Sequence, residues 1–293
     1  MAPNPVSCSE VRDHMTLSTK DFQRLSSFIY NELGIKMPDS KRTMLTGRLA
    51  KRLRANGLDS FTHYCDFVFS PEGQDRELVH LLDVVTTNKT DFFREPAHYD
   101  QLVQTVLPTL LRENGLGAGR KCRIWSAGCS TGEEPYTLSM VLSEFAARQP
   151  GGFPFEILAT DISTRVLDVA RRGVYPENRI QPIPQGLRKK YLLRGKDRNN
   201  PEVRIVPELR SLVKFGRLNF MDREFGLSDP MDIIFCRNVI IYFDKPTQEQ
   251  LMGKFCQNLR PGGFLLVGHS ESLQGYDVPL IQVAPTIYRR AKP

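Results

Sequence analysis

From about residue 96 onward, short apolar runs alternate with helical segments, and this pattern limits the chain to very few architectures. The runs fall at 123–126, 155–160, 212–215, 231–236 and 264–268. Helices are expected between most of them, including 134–148 and 246–259. The second of these opens with Pro246 in its first turn and should stop at Pro261-Gly262-Gly263. Strands alternating with helices make a parallel, doubly wound α/β sheet. One interval is too long for a simple crossover, since about 50 residues separate the second run from the third. Within it a helix is expected, then strands at 191–195 and 203–206 around a polar turn at 196–201. This predicts a small antiparallel β insertion over about 175–212.

The first 95 residues read differently. Ser18 with Asp21 resembles a capping box, and Phe22, Leu25, Phe28 and Ile29 follow at helical spacing. A second helix is expected over 41–55, with Leu45, Leu49 and Leu53 buried and a stop at Asn56-Gly57. Lys41, Arg48, Lys51 and Arg52 fall together beside that apolar stripe. Further helices are expected at 60–69 and 74–85. The expected organisation is therefore a helical domain at 1–95 and an α/β domain at 96–293.

Composition narrows the setting. No stretch approaches the roughly 20 apolar residues of a membrane-spanning helix, so no membrane insertion is expected. The opening residues lack a secretory pattern. The six cysteines include no CxxC pair, which points to reduced thiols, a cytoplasmic protein and no metal. The net charge of +7 is uneven: residues 1–95 carry 13 basic and 13 acidic side chains, whereas 171–214 carry 12 basic against 4 acidic. That asymmetry suits an acidic partner, either nucleic acid or an acidic protein.

Three places carry chemistry. WSAGCSTGEEPY (125–136) is a strand, a small-residue turn and a helix start, a form that brings backbone close to a ligand. It lacks both the GxGxxG spacing of dinucleotide sites and the GK[ST] of a P-loop. Glu133 and Glu134 would repel a pyrophosphate but suit a cation such as S-adenosylmethionine (SAM); they would also suit the dipole of any helix start. Asp161 ends the second strand, where an acidic residue holds ribose hydroxyls or caps the next helix. In FCRNVIIYF (235–243), Arg237, Asn238 and Tyr242 interrupt an apolar run at the ligand-facing end of a strand.

Together with TTNKTDFFRE (86–95), ATDI (159–162), LRPGG (259–263) and GHSE (268–271), these strings resemble the bacterial chemotaxis receptor methyltransferases of the CheR type. The order and spacing hold from about residue 17 to 289. The resemblance implies a SAM-dependent methyltransferase sheet and methylation of receptor glutamates, with S-adenosylhomocysteine as product. It implies that Asn88, Thr90 and Arg94 close over SAM, with Glu134 contacting it and Asp161 on its ribose. Asn219 and Phe220 would flank the adenine, Arg237 and Asn238 would line the pocket, and Arg94 and Tyr242 would lie near the reacting methyl. Which of Glu133 and Glu134 makes the main contact stays open. Lys41, Arg48, Lys51 and Arg52 would face the acidic receptor helices, and the insertion could hold a receptor's C-terminal peptide. His269 is read as structural or pocket-lining. A monomer acting on the receptor cytoplasmic domain, with no nucleic-acid partner, is expected.

A glutamate side chain is ionised at neutral pH and already nucleophilic, so no general base is required. Rival readings are a nucleic-acid methyltransferase and a SAM sensor without catalysis. Arg237-Asn238-Val239-Ile240 stands where amino-directed nucleic-acid enzymes carry [DNS]-P-P-[YFW], and Arg94 and Tyr242 speak for catalysis. A nicotinamide dehydrogenase does not fit the glycine spacing.

Overall fold

The computed structural model describes residues 16–113, 115–116, 120–197, 199 and 201–292. The N-terminal stretch read for a secretory signal, and positions 198 and 200 of the expected turn, lie outside these residues. Two compact units divide between Thr87 and Asn88, earlier than the boundary expected after residue 95. The reason is local. Phe92 is fully buried in the α/β core, and the Phe93 amide donates to Thr137 Oγ1, so segment 88–95 belongs with the sheet.

The first unit is helical: α1 Thr19–Leu33, α2 Arg42–Ala55, α3 Phe61–Val68, α4 Pro71–Arg76 and α5 Leu78–Val85. Ser18 caps α1 by accepting from the Asp21 amide, and Gly34, at φ 69°, ends it in the left-handed conformation. Leu45, Leu49 and Leu53 of α2 are buried, as their spacing predicts. The helix expected over 74–85 is instead broken at Glu77, because the side chain there is buried and multiply held. Arg52 grips its carboxylate at 2.8 and 2.6 Å, and Tyr64 donates to it at 2.9 Å. Burial raises the Glu77 pKa, but the donors from Arg52, Asn56 and Tyr64 outweigh it and hold the carboxyl below its ordinary range. Arg48 donates to the carbonyls of Val84, Val85 and Thr86, closing the C-terminus of α5. Two of the four basic residues read as receptor-facing are thus turned into their own unit.

The second unit opens with α6 Ala97–Gln101, a turn widened to a π-helix at Leu102–Val106, and α7 Leu107–Glu113. Then follow β1 Cys122–Ala127, α8 Glu133–Ala146, β2 Phe155–Asp161, α9 Thr164–Arg172, β3 Val174–Pro176, α10 Gln185–Tyr191, β4 Leu192–Arg194, β5 Glu202–Ile205 and α11 Pro207–Arg210. The chain continues through β6 Val213–Arg217, β7 Met231–Cys236, α12 Lys245–Asn258, β8 Leu259–Val267, β9 Leu280–Ala284 and β10 Ile287–Arg290. The main sheet runs β6-β2-β1-β7-β8-β10-β9, parallel through β8 and antiparallel beyond it. Alternate residues enter two different cores. Ile124, Ile233 and Phe264 lie in one, and Trp125, Ile234 and Leu265 in the other. Both faces are covered, which is why these strands read as unbroken apolar runs.

Two readings are corrected here. Pro261-Gly262-Gly263 lies inside β8, where the register against β7 shifts, rather than marking the end of a helix. The insertion has three strands in the order β3-β5-β4, not a lone hairpin; β5 is central and β4 lies at an edge.

Removing Arg52 leaves a buried carboxylate without its main partner. Arg52→Ala should therefore destabilise the protein by about 3 kcal/mol in urea unfolding. Lys51→Ala, on the exposed side of the same helix, should change it by no more than about 0.5 kcal/mol. Equal small effects would show that the pair contributes little.

Candidate active site

Sheet order reverses at β1, whose neighbours are β2 on one side and β7 on the other. The loops after β1 and β7 therefore meet at the topological switch point, where open α/β sheets bind ligands. After β1 the chain turns through Gly128 (φ 83°), Ser130 (φ 48°) and Gly132 (φ 97°) into α8. The Gly128 and Cys129 amides donate to Thr160 O at 2.8 and 2.9 Å, tying the turn to β2. A Cβ on Gly128 would stand 2.7 Å from Val239 Cγ2, and one on Gly132 would stand 2.8 Å from the Tyr175 hydroxyl. Only glycine satisfies both the backbone and the space at these two positions.

Asp161, at the end of β2, is buried and accepts from the Ser130 and Ser163 amides, each at 2.9 Å. Ser163, not Asp161, caps α9. The aspartate instead fixes the glycine turn from the neighbouring strand.

Arg237, immediately after β7, is the centre of the site. Its side chain is 2% exposed, and its Nε donates to Glu134 Oε2 at 2.7 Å. Its Nη1 donates to the Arg94 carbonyl at 2.8 Å and lies 3.5 Å from Glu95 Oε2; its Nη2 donates to the Tyr99 hydroxyl at 2.9 Å. The guanidinium also sits over the rings of Tyr99 and Phe235. Glu134 additionally accepts from Ser126 Oγ at 2.7 Å. Glu133 faces elsewhere, held by Arg179 at 2.7 Å and Thr131 at 2.6 Å. Around the other side, Glu95 accepts from Asn238 Nδ2 and the His269 amide. Burial pushes the Glu95 carboxyl up, but contacts with His98, Arg237, Asn238 and the His269 amide overcome it and bring the pKa down to about 2. Glu271 accepts from the amides of Asn238, Gly268 and Ile241, and burial raises its carboxyl despite them.

All five described non-glycine residues at positive φ belong to this region: Phe93, Glu95, Ser130, Asn238 and Thr286, the last 2.7 Å from His98 Nε2 through its hydroxyl. Strained backbone held in place by many partners is a mark of functional sites.

Residues 88–288 match the SAM binding domain of the CheR methyltransferases, and 20–86 match that family's all-alpha domain. The chain belongs to the CheR methyltransferase family. A chemotaxis protein methyltransferase of Borreliella burgdorferi is 39% identical, covering 94% of this chain and 96% of its own. Chemotaxis protein methyltransferase 2 of Pseudomonas aeruginosa is 40% identical over 93% of each chain. The Escherichia coli chemotaxis protein methyltransferase is 35% identical over 97% of this chain and 95% of its own. The cofactor of a CheR methyltransferase is SAM, and the residues present fit it. Glu134 brings a carboxylate to the first turn of α8 and Asp161 another to the end of β2, chemistry that suits an ammonium and ribose hydroxyls.

The sequence-predicted residues fall into three groups. In the first, Arg94, Glu134, Arg237 and Asn238 meet around Arg237 and Glu95, while Asp161 and Asn88 meet at Ser130, whose amide donates to the aspartate and whose Oγ donates to the Asn88 carbonyl. Thr90 joins them through Arg179, which donates to its carbonyl. Asn219, Phe220 and Tyr242 lie on loops after β6 and β7 at the same end of the sheet; Phe220 packs edge-on against Phe255 and Phe225. Lys41, Arg48, Lys51 and Arg52 belong to the other unit. The CheR-like strings contain Glu95 and Glu271 without marking a role for either, and His98 and Tyr99 lie outside those strings. Nothing in their local pattern marks them as partners of Arg237. Glu95, His98 and His269 bring ligand atoms within 4.8 Å of one another, but the Arg237 guanidinium already faces the first two.

Glu95 gives a pH test. Its folded pKa of about 2 lies below the ordinary 4.5. Its stabilising effect is thus complete above pH 4.5 and lost as pH falls through 2. Wild-type stability should drop by up to about 3 kcal/mol from this group across that window. In Glu95→Gln that part of the slope should vanish, measured by urea unfolding against pH. An unchanged slope would remove Glu95 from the pairing.

Proposed function

We propose that this protein transfers the methyl of SAM to glutamate side chains on the cytoplasmic helices of chemoreceptors, giving glutamyl methyl esters and S-adenosylhomocysteine. The observation that carries the reading is the buried Arg237, which clamps the Arg94 carbonyl and so holds segment 88–95 at the carboxyl end of the sheet. The names of the CheR relatives, chemotaxis protein methyltransferases, support the same setting. The protein would work as a cytoplasmic monomer.

SAM supplies an electrophilic methyl on a sulfonium. The chain's residues would supply placement. Glu134 would face the amino-acid end of the cofactor, Asp161 its ribose, and Asn219 and Phe220 its adenine. Asn88, Thr90 and Arg94 would cover it, with Arg237 and Asn238 forming the wall behind. Arg94 and Tyr242, both half-buried, would orient the incoming carboxylate. Neither needs to remove a proton, because the acceptor is already ionised. Held near-attack geometry and exclusion of water can supply roughly 7–11 kcal/mol of the barrier.

The helical unit would meet the acidic receptor helices through the basic side of α2. Arg48 and Arg52 are tied to their own unit, so Lys41 and the exposed Lys51 would carry most of that contact. The β4 edge of the insertion, with Leu193 and Arg194 exposed, would take an extended receptor C-terminal peptide as an added strand. Such a tether would raise the local acceptor concentration into the mM range.

Incubation with tritiated SAM and purified receptor cytoplasmic domains should give label released as methanol by alkali. Tyr242→Phe should lower kcat on the order of tenfold or more, with SAM affinity retained. Base-stable label, or label in added RNA or DNA, would favour the nucleic-acid reading, and no turnover would favour a sensor. A receptor-tail peptide should bind the intact chain and not one lacking 191–206.

A further inference from the structure

The β insertion reaches the cofactor loop directly, at two points. Tyr175, on β3, is buried and donates from its hydroxyl to the Thr131 carbonyl at 2.7 Å, inside the glycine turn. Arg179, four residues later, donates through Nη2 to both the Thr90 carbonyl at 2.6 Å and Glu133 Oε1 at 2.7 Å. Its Nη1 lies 3.5 Å from Asp91. One guanidinium therefore joins the insertion, the first residue of α8 and segment 88–91. Glu133 is 1% exposed, so its charge is compensated mainly by Arg179, and charge-assisted bonds of this kind are the strong ones.

We propose that Arg179 is a positioning residue for SAM: it latches segment 88–91 onto the start of α8 and makes the insertion part of the cofactor site. The two residues on either side of the latch are ones the cofactor would meet. Thr90 is held by its carbonyl, and Glu134 follows Glu133 on the first turn of α8. Loss of the latch frees one without disturbing the other, since Glu134 keeps Arg237 and Ser126. A docking module with no such contact would leave cofactor affinity alone. This inference rests on SAM binding and not on the identity of the methyl acceptor.

The test uses the full chain and S-adenosylhomocysteine as the probe. Glu133 keeps the Thr131 hydroxyl and gains the glutamine amide, so Arg179→Gln should fold, at reduced stability. Its dissociation constant for the probe should rise about tenfold by calorimetry, and KM for the acceptor should stay unchanged. Hydrogen exchange at amides 88–91 should quicken while amides of β4 and β5 keep their protection. Arg179→Lys retains the charge and should recover part of the affinity. Unchanged affinity and exchange in Arg179→Gln would overturn the proposal. So would exchange raised equally across β3, β4 and β5, because Arg179 would then merely hold the insertion together.

Discussion

A single buried cation organises the catalytic end of this molecule. Taking the Arg237 guanidinium out of water costs several kcal/mol unless its donors are met, and the chain meets them from three places. Glu134 comes from α8, the Arg94 carbonyl and Glu95 from the segment before α6, and Tyr99 from α6 itself. None of these could shift far without leaving a buried charge partly unpaired. The pairing thus fixes the relative positions of the glycine turn, the loop after β7 and the connecting segment. Asn238, next in sequence, extends the network to Glu95 and Glu271 while its backbone sits at φ 58°. The strain and the pairing are two aspects of one arrangement, since a dense set of partners is what makes a left-handed asparagine tolerable.

The parts of the fold readable from sequence were those set by local periodicity. β7 falls where its apolar run ends, and α2 buries the leucines its spacing assigned. The unreadable parts were set by partners far away in the chain. Glu77 breaks a helix because Arg52, 25 residues earlier, meets it in the interior. β3 is three residues long and ends in proline, so it carries no alternation and exists only because β5 pairs with it. The widened turn at 102–106 and the C-terminal strand pair likewise left no periodic signal strong enough to read.

The site shows the same division. Asp161 and Arg237 stand at strand ends and Glu134 at the start of the helix after β1, where topology alone draws attention to polar residues. Their detailed work was not visible. Asp161 turned out to brace the glycine loop through Ser130, and Glu133 and Glu134, adjacent in sequence, point to different arginines. Lys41, Arg48, Lys51 and Arg52 looked equivalent on a helical wheel, yet Arg48 and Arg52 complete their own unit's interior. A wheel shows which direction a side chain leaves the helix, not what waits for it there.

Thr286 touches His98 across 188 residues of chain. At ribosomal rates of about 5–20 residues per second, some 10–40 s pass between the synthesis of the two. Through most of that time Arg237 itself has not been made, and when it has, the hairpin that carries Thr286 is still absent. Contacts so distant in sequence also form late, because loop closure must be met before they return anything. The methyl-transfer centre is therefore among the last parts of the molecule to become complete, and a partly made chain has no competent site to expose.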